Sequence, residues 1–209
     1  MSRVRVKICG LTRRTDVMAA IDSGADALGF VFYDKSPRYT SLALAKELTR
    51  DLPPFVQLVG LFVNAERAFI EQALTETSIN CLQLHGDEMP KDCVGYGVPV
   101  IKAIRVKPDM DVAAAVELFS SANGVLLDTY HPSIQGGTGE SFNWSQVPSN
   151  TKAPIILAGG LTPDNIVQAI EQTAPYAVDV SGGVEAAKGI KDAEKISAFI
   201  RGVNSVTKI

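Results

Sequence analysis

Short apolar runs alternate with longer segments of mixed polarity along the whole chain. The runs are rich in β-branched residues, and most of them end at a glycine, aspartate, histidine or serine. Most of them are too apolar to present one face to water, which is typical of parallel strands covered by helices. The eight runs are VRVKIC (4–9), ALGFVF (27–32), QLVGLFV (57–63), CLQLH (81–85), VIKAIRV (100–106), GVLLDT (124–129), PIILAGG (154–160) and AVDVSG (177–182).

The segments between the runs have helical spacing and recognisable helix starts. Thr12 precedes a charged segment, Ser41 precedes LALAKEL, and Thr162 precedes Pro163. Serine and threonine are favoured as N-caps, and proline is favoured at the first helical position. These signals predict a helix after each strand, as in βα units built around a parallel sheet.

Eight strand–helix units in 209 residues match the lower end of the size range of a (β/α)8 TIM barrel. The alternative is a doubly wound open sheet. It is disfavoured because no GxGxxG follows the first run and the glycine-rich turns come late, after the seventh and eighth runs. No linker or low-complexity segment interrupts the chain. The sequence therefore predicts one α/β domain, a (β/α)8 barrel over residues 1–209.

Composition narrows the class of partner. The N-terminus lacks the apolar core of a signal peptide, and no run approaches the roughly 18 apolar residues of a membrane span. Three cysteines without close spacing argue against a disulfide framework, and a formal net charge of −3 argues against nucleic acid as the main partner. We expect a cytoplasmic protein with a small-molecule ligand and no membrane contact.

Glycine turns follow the last two predicted strands, where barrels of this class commonly bind phosphate. Gly159 and Gly160 lie in LAGGLTPDN, and Ser181, Gly182 and Gly183 lie in VDVSGGVE. Glycine lets backbone N–H groups approach an anion closely, and the start of a short helix adds its positive end. The alternative is that these glycines only form tight turns.

Two other strand ends carry candidate acid–base groups. Asp128 ends the sixth run, and a carboxyl desolvated at a barrel mouth holds its proton more readily, as a general acid requires. The alternative is a capping or turn aspartate. Cys9 ends the first run, with Lys7 two residues back on the same side of the strand. The alternative is an inert buried thiol, which is the expectation for Cys81 and Cys93.

Lys102, a glycine-rich segment and the two histidines give weaker signals. A lysine inside a barrel can form a Schiff base, so Lys102 suggests an aldolase unless interior carboxylates neutralise it. The segment GGTGESF (136–142) lacks the Gly-Lys-Ser/Thr of a nucleotide-binding loop and is predicted to be a mobile loop after the sixth strand. His85 and His131 have no metal-ligand spacing, so no metal site is expected.

Seven segments at the strand ends occur together in a fixed order: KICGLT, GFVFYDKSPRY, LQLHG, LLDT, GGTG, LAGGLTPDNI and VDVSGGVE. With them, the chain resembles the phosphoribosylanthranilate isomerase family of tryptophan biosynthesis from about Val4 to Phe199. The resemblance implies an Amadori rearrangement of N-(5-phospho-β-D-ribosyl)anthranilate to 1-(2-carboxyphenylamino)-1-deoxy-D-ribulose 5-phosphate, without a cofactor. It also implies a phosphorylated small-molecule substrate, and we expect a monomer rather than a homodimer.

The resemblance also implies roles for individual residues. Cys9 matches the general base, Asp128 the general acid, and Arg38 the residue that receives the anthranilate carboxylate. Gln83 and His85 match residues that line the substrate site. The phosphate site and its probable sugar contact match Gly159, Gly160, Ser181, Gly182, Gly183 and Asp179.

The implied chemistry places a demand on the surroundings of the acid and the base. The ring oxygen gains a proton as the ring opens, and a proton leaves C2, so the two groups must face each other across the sugar. The reaction needs a protonated Asp128 together with a thiolate at Cys9. In water a carboxyl is a stronger acid than a thiol, so the protonation states would be the reverse. Lys7 is therefore predicted to stabilise the thiolate of Cys9.

Three residues depart from the family pattern. Gly182 stands where relatives commonly carry a second serine, and Glu140 and Asn143 stand where lysine and aspartate are common. We expect these changes to affect substrate affinity rather than the acid–base pair.

Two further functions stay open at this point. A related histidine-pathway isomerase performs the same rearrangement, but that family has an aspartate where this chain has Cys9. A phosphosugar-binding module without catalysis would retain the glycine turns, yet it would not need Cys9, Asp128 and Arg38.

Overall fold

Eight parallel strands close into a barrel in their order along the chain. The computed structural model describes residues 3–129 and 143–206. Pairing of the first and last strands, with Arg5 opposite Ala177 and Ile8 opposite Val180, completes the closure. The predicted (β/α)8 barrel is confirmed, and the extent of one domain over residues 1–209 stays a prediction. The strands are β1 Arg5–Cys9, β2 Ala27–Val31, β3 Gln57–Phe62, β4 Cys81–Leu84, β5 Val100–Val106, β6 Gly124–Thr129, β7 Ile155–Leu157 and β8 Ala177–Val180.

Six α-helices in the described ranges follow β1, β2, β3, β5, β7 and β8. None of these helices has the length and apolar character that a membrane span requires. A short hairpin lies between β8 and the last helix. The elements are α1 Arg14–Asp22, α2 Leu42–Leu48, α3 Arg67–Glu76, α4 Val112–Leu118, α5 Ile166–Thr173 and α6 Ala193–Val206, with β9 Glu185–Ala187 and β10 Ile190–Lys191 forming the hairpin.

The connection from β4 to β5 contains no α-helix, so the prediction of a helix after each strand is wrong here. It has only a 3₁₀ turn at Pro90–Cys93. Gly95 and Gly97 follow this turn with φ angles of 82° and 73°, in the left-handed region that α-helices do not use. Glycine and proline therefore outweigh the helical spacing of the apolar residues in this segment.

The segment after β6 is described from residue 143 onward. A 3₁₀ turn at Trp144–Gln146 is capped by Asn143, whose Oδ1 accepts from a backbone N–H two residues on, at 3.1 Å. Asn143 thus has a local role in starting this turn. The loop predicted over 136–142, Glu140 and His131 lie outside the described residues.

Two of the predicted helix starts have different outcomes. Ser41 caps α2 as predicted, because its Oγ accepts from the Leu44 N–H at 3.2 Å. Thr12 does not cap α1, which begins at Arg14. Its Oγ1 instead donates to the carbonyl of Gly189 at 2.6 Å, so a contact distant in sequence takes the hydroxyl that would have capped the helix.

Thr162 and Pro163 begin a turn rather than α5, so the predicted start of this helix is wrong. The helix begins at Ile166, and Asn165 Oδ1 accepts from the Thr162 N–H at 2.8 Å. Asn165 Nδ2 donates to the carbonyl of Gly160 at 2.9 Å. One asparagine side chain therefore ties the end of the β7 loop to the start of the helix.

Side chains alternate between the barrel interior and the surrounding helices. Ala103, Leu126, Ile156, Ala158 and Ala177 pack together in one buried cluster. A second buried cluster nearer the carboxyl ends of the strands contains Cys9, Val31 and Leu61. The interior is thus filled with side chains, and chemistry is confined to the carboxyl-end face of the barrel.

Lys102 points out of the barrel, so its predicted interior position is wrong. Its neighbours Ile101 and Ala103 belong to the interior cluster, which places Lys102 on the opposite face of β5. Its buried Nζ donates to the Gly86 carbonyl at 2.7 Å and to Glu88 Oε2 at 2.8 Å. A carboxylate in the loop after β4 neutralises the lysine, and the Schiff-base aldolase alternative is wrong.

Lys102→Met leaves the buried Glu88 carboxylate without its cation. Because breaking a buried ion pair from one side costs about 3–5 kcal/mol, we expect the free energy of unfolding to fall by about 3 kcal/mol. Urea denaturation followed by circular dichroism measures this change. Lys46→Met, at an exposed position of α2, is the matched control, with an expected change under about 0.5 kcal/mol. Equal stability of the two variants would contradict the role of Lys102.

Candidate active site

One cavity opens at the carboxyl ends of the strands and collects most of the predicted site residues. Its lining ends at Ser181 in the β8 loop, so Gly182 and Gly183 are the two predicted residues that do not line it. The other nine do: Cys9, Arg38, Gln83, His85, Asp128, Gly159, Gly160, Asp179 and Ser181.

A buried ion pair lies beside the thiol of Cys9. Lys7 Nζ is 2.8 Å from Asp179 Oδ1, and both side chains are buried. A Cβ atom at Gly29, on the neighbouring strand β2, would lie 2.7 Å from the Cys9 sulfur and 3.1 Å from Lys7 Nζ. The missing side chain of Gly29 thus leaves the space in which the thiol and the ammonium group sit together.

Burial raises the pKa of the Cys9 thiol, and the positive charge of Lys7 offsets only part of that rise. Asp179 adds to it, because a nearby carboxylate disfavours the thiolate. Burial by itself would lower the pKa of Lys7, but Asp179 and Cys9 outweigh burial and raise it. Lys7 is therefore a permanent cation beside the thiol, as the sequence predicted, although it does not cancel the effect of burial.

Asp128 is held at the end of β6 by its own strand and by the glycine turn after β7. Its Oδ1 accepts from the Thr129 N–H at 2.9 Å. A Cβ atom at Gly159, where φ is 81°, would lie 3.0 Å from that oxygen and 2.3 Å from Thr129 Oγ1. Only glycine allows the β7 loop to approach the carboxyl this closely.

His85 and Gln83 lie at the end of β4, with His85 next to Asp128. Gln83 Nε2 lies 2.9 Å from His85 Nδ1, and His85 Nε2 lies 3.2 Å from Asp128 Oδ2. That second contact lacks hydrogen-bonding geometry, so His85 Nε2 is buried without a partner, as is Gln83 Oε1. Buried polar atoms normally find a partner, and both of these residues line the cavity. They are suited to bind hydroxyl groups of a ligand.

The glycine turns after β7 and β8 meet at the cavity. Gly159 and Gly160 have φ angles of 81° and 64°, which orient the backbone of the β7 loop in a way that other residues rarely adopt. A 3₁₀ turn at Gly182–Val184 follows Ser181. A Cβ atom at Gly183 would lie 1.9 Å from the carbonyl oxygen of Leu161. Gly183 therefore packs the two loops together, while Gly159 and Gly160 line the cavity.

Arg38 reaches the cavity from the loop after β2 and is held by a carboxylate. Its Nε and Nη2 donate to the two carboxylate oxygens of Glu185 at 2.7 and 2.8 Å. A Cβ atom at Gly10, where φ is 75°, would lie 2.5 Å from Arg38 Cδ and 3.1 Å from Ser181 Oγ. Gly10 thus allows Arg38 and Ser181 to converge directly above the end of β1.

Comparison with known proteins gives matches along almost the whole chain. The family model for N-(5'phosphoribosyl)anthranilate (PRA) isomerase matches residues 6–202. The chain is 59% identical over 203 residues to the N-(5'-phosphoribosyl)anthranilate isomerase of Pseudomonas putida. The matched residues make up 97% of this chain and 98% of that protein. The chain belongs to the PRA isomerase family.

Two solved structures of the family superpose on the barrel. The PRA isomerase of Thermotoga maritima is 42% identical and has a TM-score of 0.89, with 97% of this chain and 99% of that chain covered. A PRA isomerase in complex with reduced 1-(O-carboxyphenylamino)-1-deoxyribulose 5-phosphate is 40% identical and has a TM-score of 0.86 over the same shares. The predicted family is confirmed, and it is favoured over the histidine-pathway isomerase.

Sequence reasoning missed two charged residues that contact the lining of the cavity, Glu185 and Lys191. Lys191 Nζ donates to Glu185 Oε1 at 2.9 Å and to Ser181 Oγ at 3.3 Å. Burial would raise the pKa of Glu185, but Arg38 and Lys191 outweigh it and lower that pKa. Burial lowers the pKa of Lys191, and Glu185 offsets this only in part. The one signal in the sequence was a charged segment, EAAKGIKD, immediately after the last glycine turn.

Within residues 3–129 and 143–206, no three His, Cys, Asp or Glu side chains cluster in the way a metal site requires. The expectation that the reaction needs no metal or cofactor stays a prediction.

Charge substitutions next to Cys9 should move the pKa of its thiol in opposite directions. Lys7→Met removes a cation that lowers this pKa, so we expect it to rise. Asp179→Asn removes a carboxylate that raises it, so we expect it to fall. Ultraviolet absorbance of the thiolate against pH measures both shifts, in a Cys81→Ser, Cys93→Ser background that leaves one thiol.

The double variant Lys7→Met, Asp179→Asn is the control for loss of folding. It removes both members of the ion pair, so neither is left unpaired, and its thiol pKa should lie between the values of the two single variants. Shifts of the same sign in both single variants would contradict the electrostatic account of Cys9.

Proposed function

We propose that the chain converts N-(5-phospho-β-D-ribosyl)anthranilate to 1-(2-carboxyphenylamino)-1-deoxy-D-ribulose 5-phosphate by general acid–base catalysis, as a step of tryptophan biosynthesis. The observation that carries this proposal is that Cys9 and Asp128, from β1 and β6, line one cavity. Arg38 and the glycine turns line the same cavity. A thiol and a carboxyl across a sugar, with anion-binding groups at its ends, are what this rearrangement requires.

Asp128 acts as the general acid in the first half of the reaction. It gives a proton to the furanose ring oxygen as the bond from that oxygen to C1 breaks, and the anthranilate nitrogen forms a protonated imine with C1. The Cys9 thiolate then removes the proton from C2, which gives an enolamine. As the oxygen on C2 becomes a ketone, C1 takes up a proton, so C1 is reduced and C2 oxidised within one molecule.

Lys7 and Asp179 set the charge of the base. Burial disfavours the thiolate of Cys9, and the adjacent Lys7 ammonium group makes that form accessible. Asp179 keeps Lys7 charged and in place through the 2.8 Å contact. Asp179 also lines the cavity, where it is suited to contact the sugar.

The two ends of the substrate are anionic, and each meets a donor group. Arg38 binds the anthranilate carboxylate with the edge of the guanidinium that Glu185 does not use. The phosphate binds at the turns of Gly159, Gly160 and Ser181, with the backbone of the following 3₁₀ turn. His85 Nε2 and Gln83 Oε1, both without a hydrogen-bond partner in the protein, bind the sugar hydroxyls.

One chain is a complete catalytic unit in this proposal, in line with the predicted monomer. Every side chain named in the reaction belongs to the same barrel, so turnover per chain should not change on dilution. Its free cysteines, Cys9, Cys81 and Cys93, suit the reducing environment of the cytoplasm, where we place the enzyme.

Cys9→Ser and Asp128→Asn should each lower kcat by about 100- to 10,000-fold, the usual contribution of a general acid or base. Loss of anthranilate fluorescence from freshly prepared substrate measures turnover, and titration with the product measures binding. We expect product affinity to be retained, because neither change removes an anion-binding group. Cys93→Ser, in the 3₁₀ turn after β4, is the matched control and should retain full turnover.

The outcomes distinguish an isomerase from a phosphosugar-binding module without catalysis. Binding of product without turnover by the wild type would mean that the chain is a phosphosugar-binding module. Turnover that survives in Cys9→Ser would assign the base to another group.

Gly10→Ala should raise KM about tenfold with a smaller change in kcat, because the new Cβ displaces Arg38 from its position. Gly97→Ala is the matched control. Its φ of 73° is close to the 75° of Gly10, and a Cβ there meets no atom within 4 Å. It therefore carries the same backbone strain without a contact at the cavity. An equal rise of KM in both variants would refute the steric account.

A further inference from the structure

The hairpin after β8 carries a buried charge cluster that contacts two residues of the cavity lining. Glu185 lies in β9 and Lys191 in β10, with side-chain exposures of 6% and 0%. Glu185 holds Arg38. Lys191 donates to the carbonyl and the hydroxyl of Ser181, at 3.1 and 3.3 Å. The 2.9 Å contact between Glu185 and Lys191 connects the supports of Arg38 and Ser181.

The charge of this cluster favours an anion in the cavity. Arg38 and Lys191 are two cations, and Glu185 is the carboxylate that both of them contact. One positive charge is therefore left over in a largely buried setting. Desolvated charges require compensation, and an anionic ligand at Arg38 supplies it.

Glu185 is bound too firmly to act as a competitor that a ligand displaces. Its carboxylate accepts from Arg38 through two nitrogens, from Lys191, and from the Gly189 N–H at 3.2 Å. Releasing it would leave four donors and a buried charge unpaired. Its bidentate contact also restricts the guanidinium to one plane and one direction.

The hairpin is itself anchored to the segment that follows β1. The Lys191 N–H donates to Asp16 Oδ2 at 3.0 Å, and Arg13 binds the same aspartate at 2.6 Å. Thr12 donates to the carbonyl of Gly189 at 2.6 Å. These contacts fix the hairpin relative to the strand that carries Cys9.

We propose that Glu185 and Lys191 are positioning residues that orient Arg38 and Ser181 together, and so fix the carboxylate-binding and phosphate-binding groups of the cavity relative to each other. The inference rests on the proposed function for the identity of the two anionic groups. Neither residue needs to touch the substrate. Each acts through the group that does.

The test compares Glu185→Gln, Lys191→Met and the control Lys195→Met. Lys195 is exposed and donates to the backbone carbonyl of Glu185 at 2.8 Å, so it neighbours the cluster without entering it. Three ligands are titrated: the reduced product, the same compound without its ring carboxylate, and inorganic phosphate as a competitive inhibitor. Steady-state kinetics give kcat and KM.

We expect removal of the ligand carboxylate to weaken binding to the wild type by about 10- to 100-fold, as for a charge-assisted contact. In Glu185→Gln this factor should shrink at least about fivefold, with KM raised and kcat changed less than about threefold. Phosphate inhibition should be unchanged in Glu185→Gln and weakened in Lys191→Met, which alone loses the contact to Ser181. Lys195→Met should match the wild type.

Three results would overturn the inference. Tighter binding of the carboxylated ligand by Glu185→Gln would mean that Glu185 competes for Arg38. An unchanged carboxylate factor in Glu185→Gln, together with unchanged phosphate inhibition in Lys191→Met, would remove any positioning role. Equal weakening of all three ligands would indicate general loss of structure. Absence of turnover by the wild type would instead refute the proposed function, independently of these comparisons.

Discussion

The ion pair between Lys7 and Asp179 spans the seam at which β1 and β8 close the barrel. The two residues are direct partners in the strand register, and their charged atoms are 2.8 Å apart with both side chains buried. Removing one partner of a buried ion pair is strongly destabilising. The pair therefore holds the first and last strands of the sheet together and keeps the Lys7 charge in the barrel. The same lysine opposes the rise that burial imposes on the pKa of Cys9. Closure of the barrel and ionisation of the thiol therefore depend on one interaction.

A second charge cluster repeats this arrangement at the rim. Arg38, Glu185 and Lys191 are neutralised only in part, because one carboxylate contacts two cations. In both clusters an acidic side chain holds a basic one in place: Asp179 holds Lys7, and Glu185 holds Arg38. Orientation is obtained from contacts that already exist in the free protein, which reduces the ordering that binding must impose. An anionic ligand then completes the charge balance.

Missing side chains are as important to this site as charged ones. Gly29 leaves space for Lys7 and Cys9, and Gly10 lets Arg38 lie above the end of β1. The loops of a small barrel meet above one narrow mouth, so groups from distant parts of the chain compete for the same volume. Glycine at the contact points resolves that competition and brings the reactive groups together.

The sequence by itself determined the eight strands, the barrel and the strand ends at which Cys9 and Asp128 lie, because hydrophobic periodicity and turn residues are local properties. The side to which Lys102 points was decided only in the tertiary structure, since an apolar strand that is buried on both faces carries no alternation to read. Glu185 and Lys191 were also beyond sequence reasoning. Their charges are buried by a hairpin that packs against the segment after β1, and contacts between residues so distant along the chain have no local pattern.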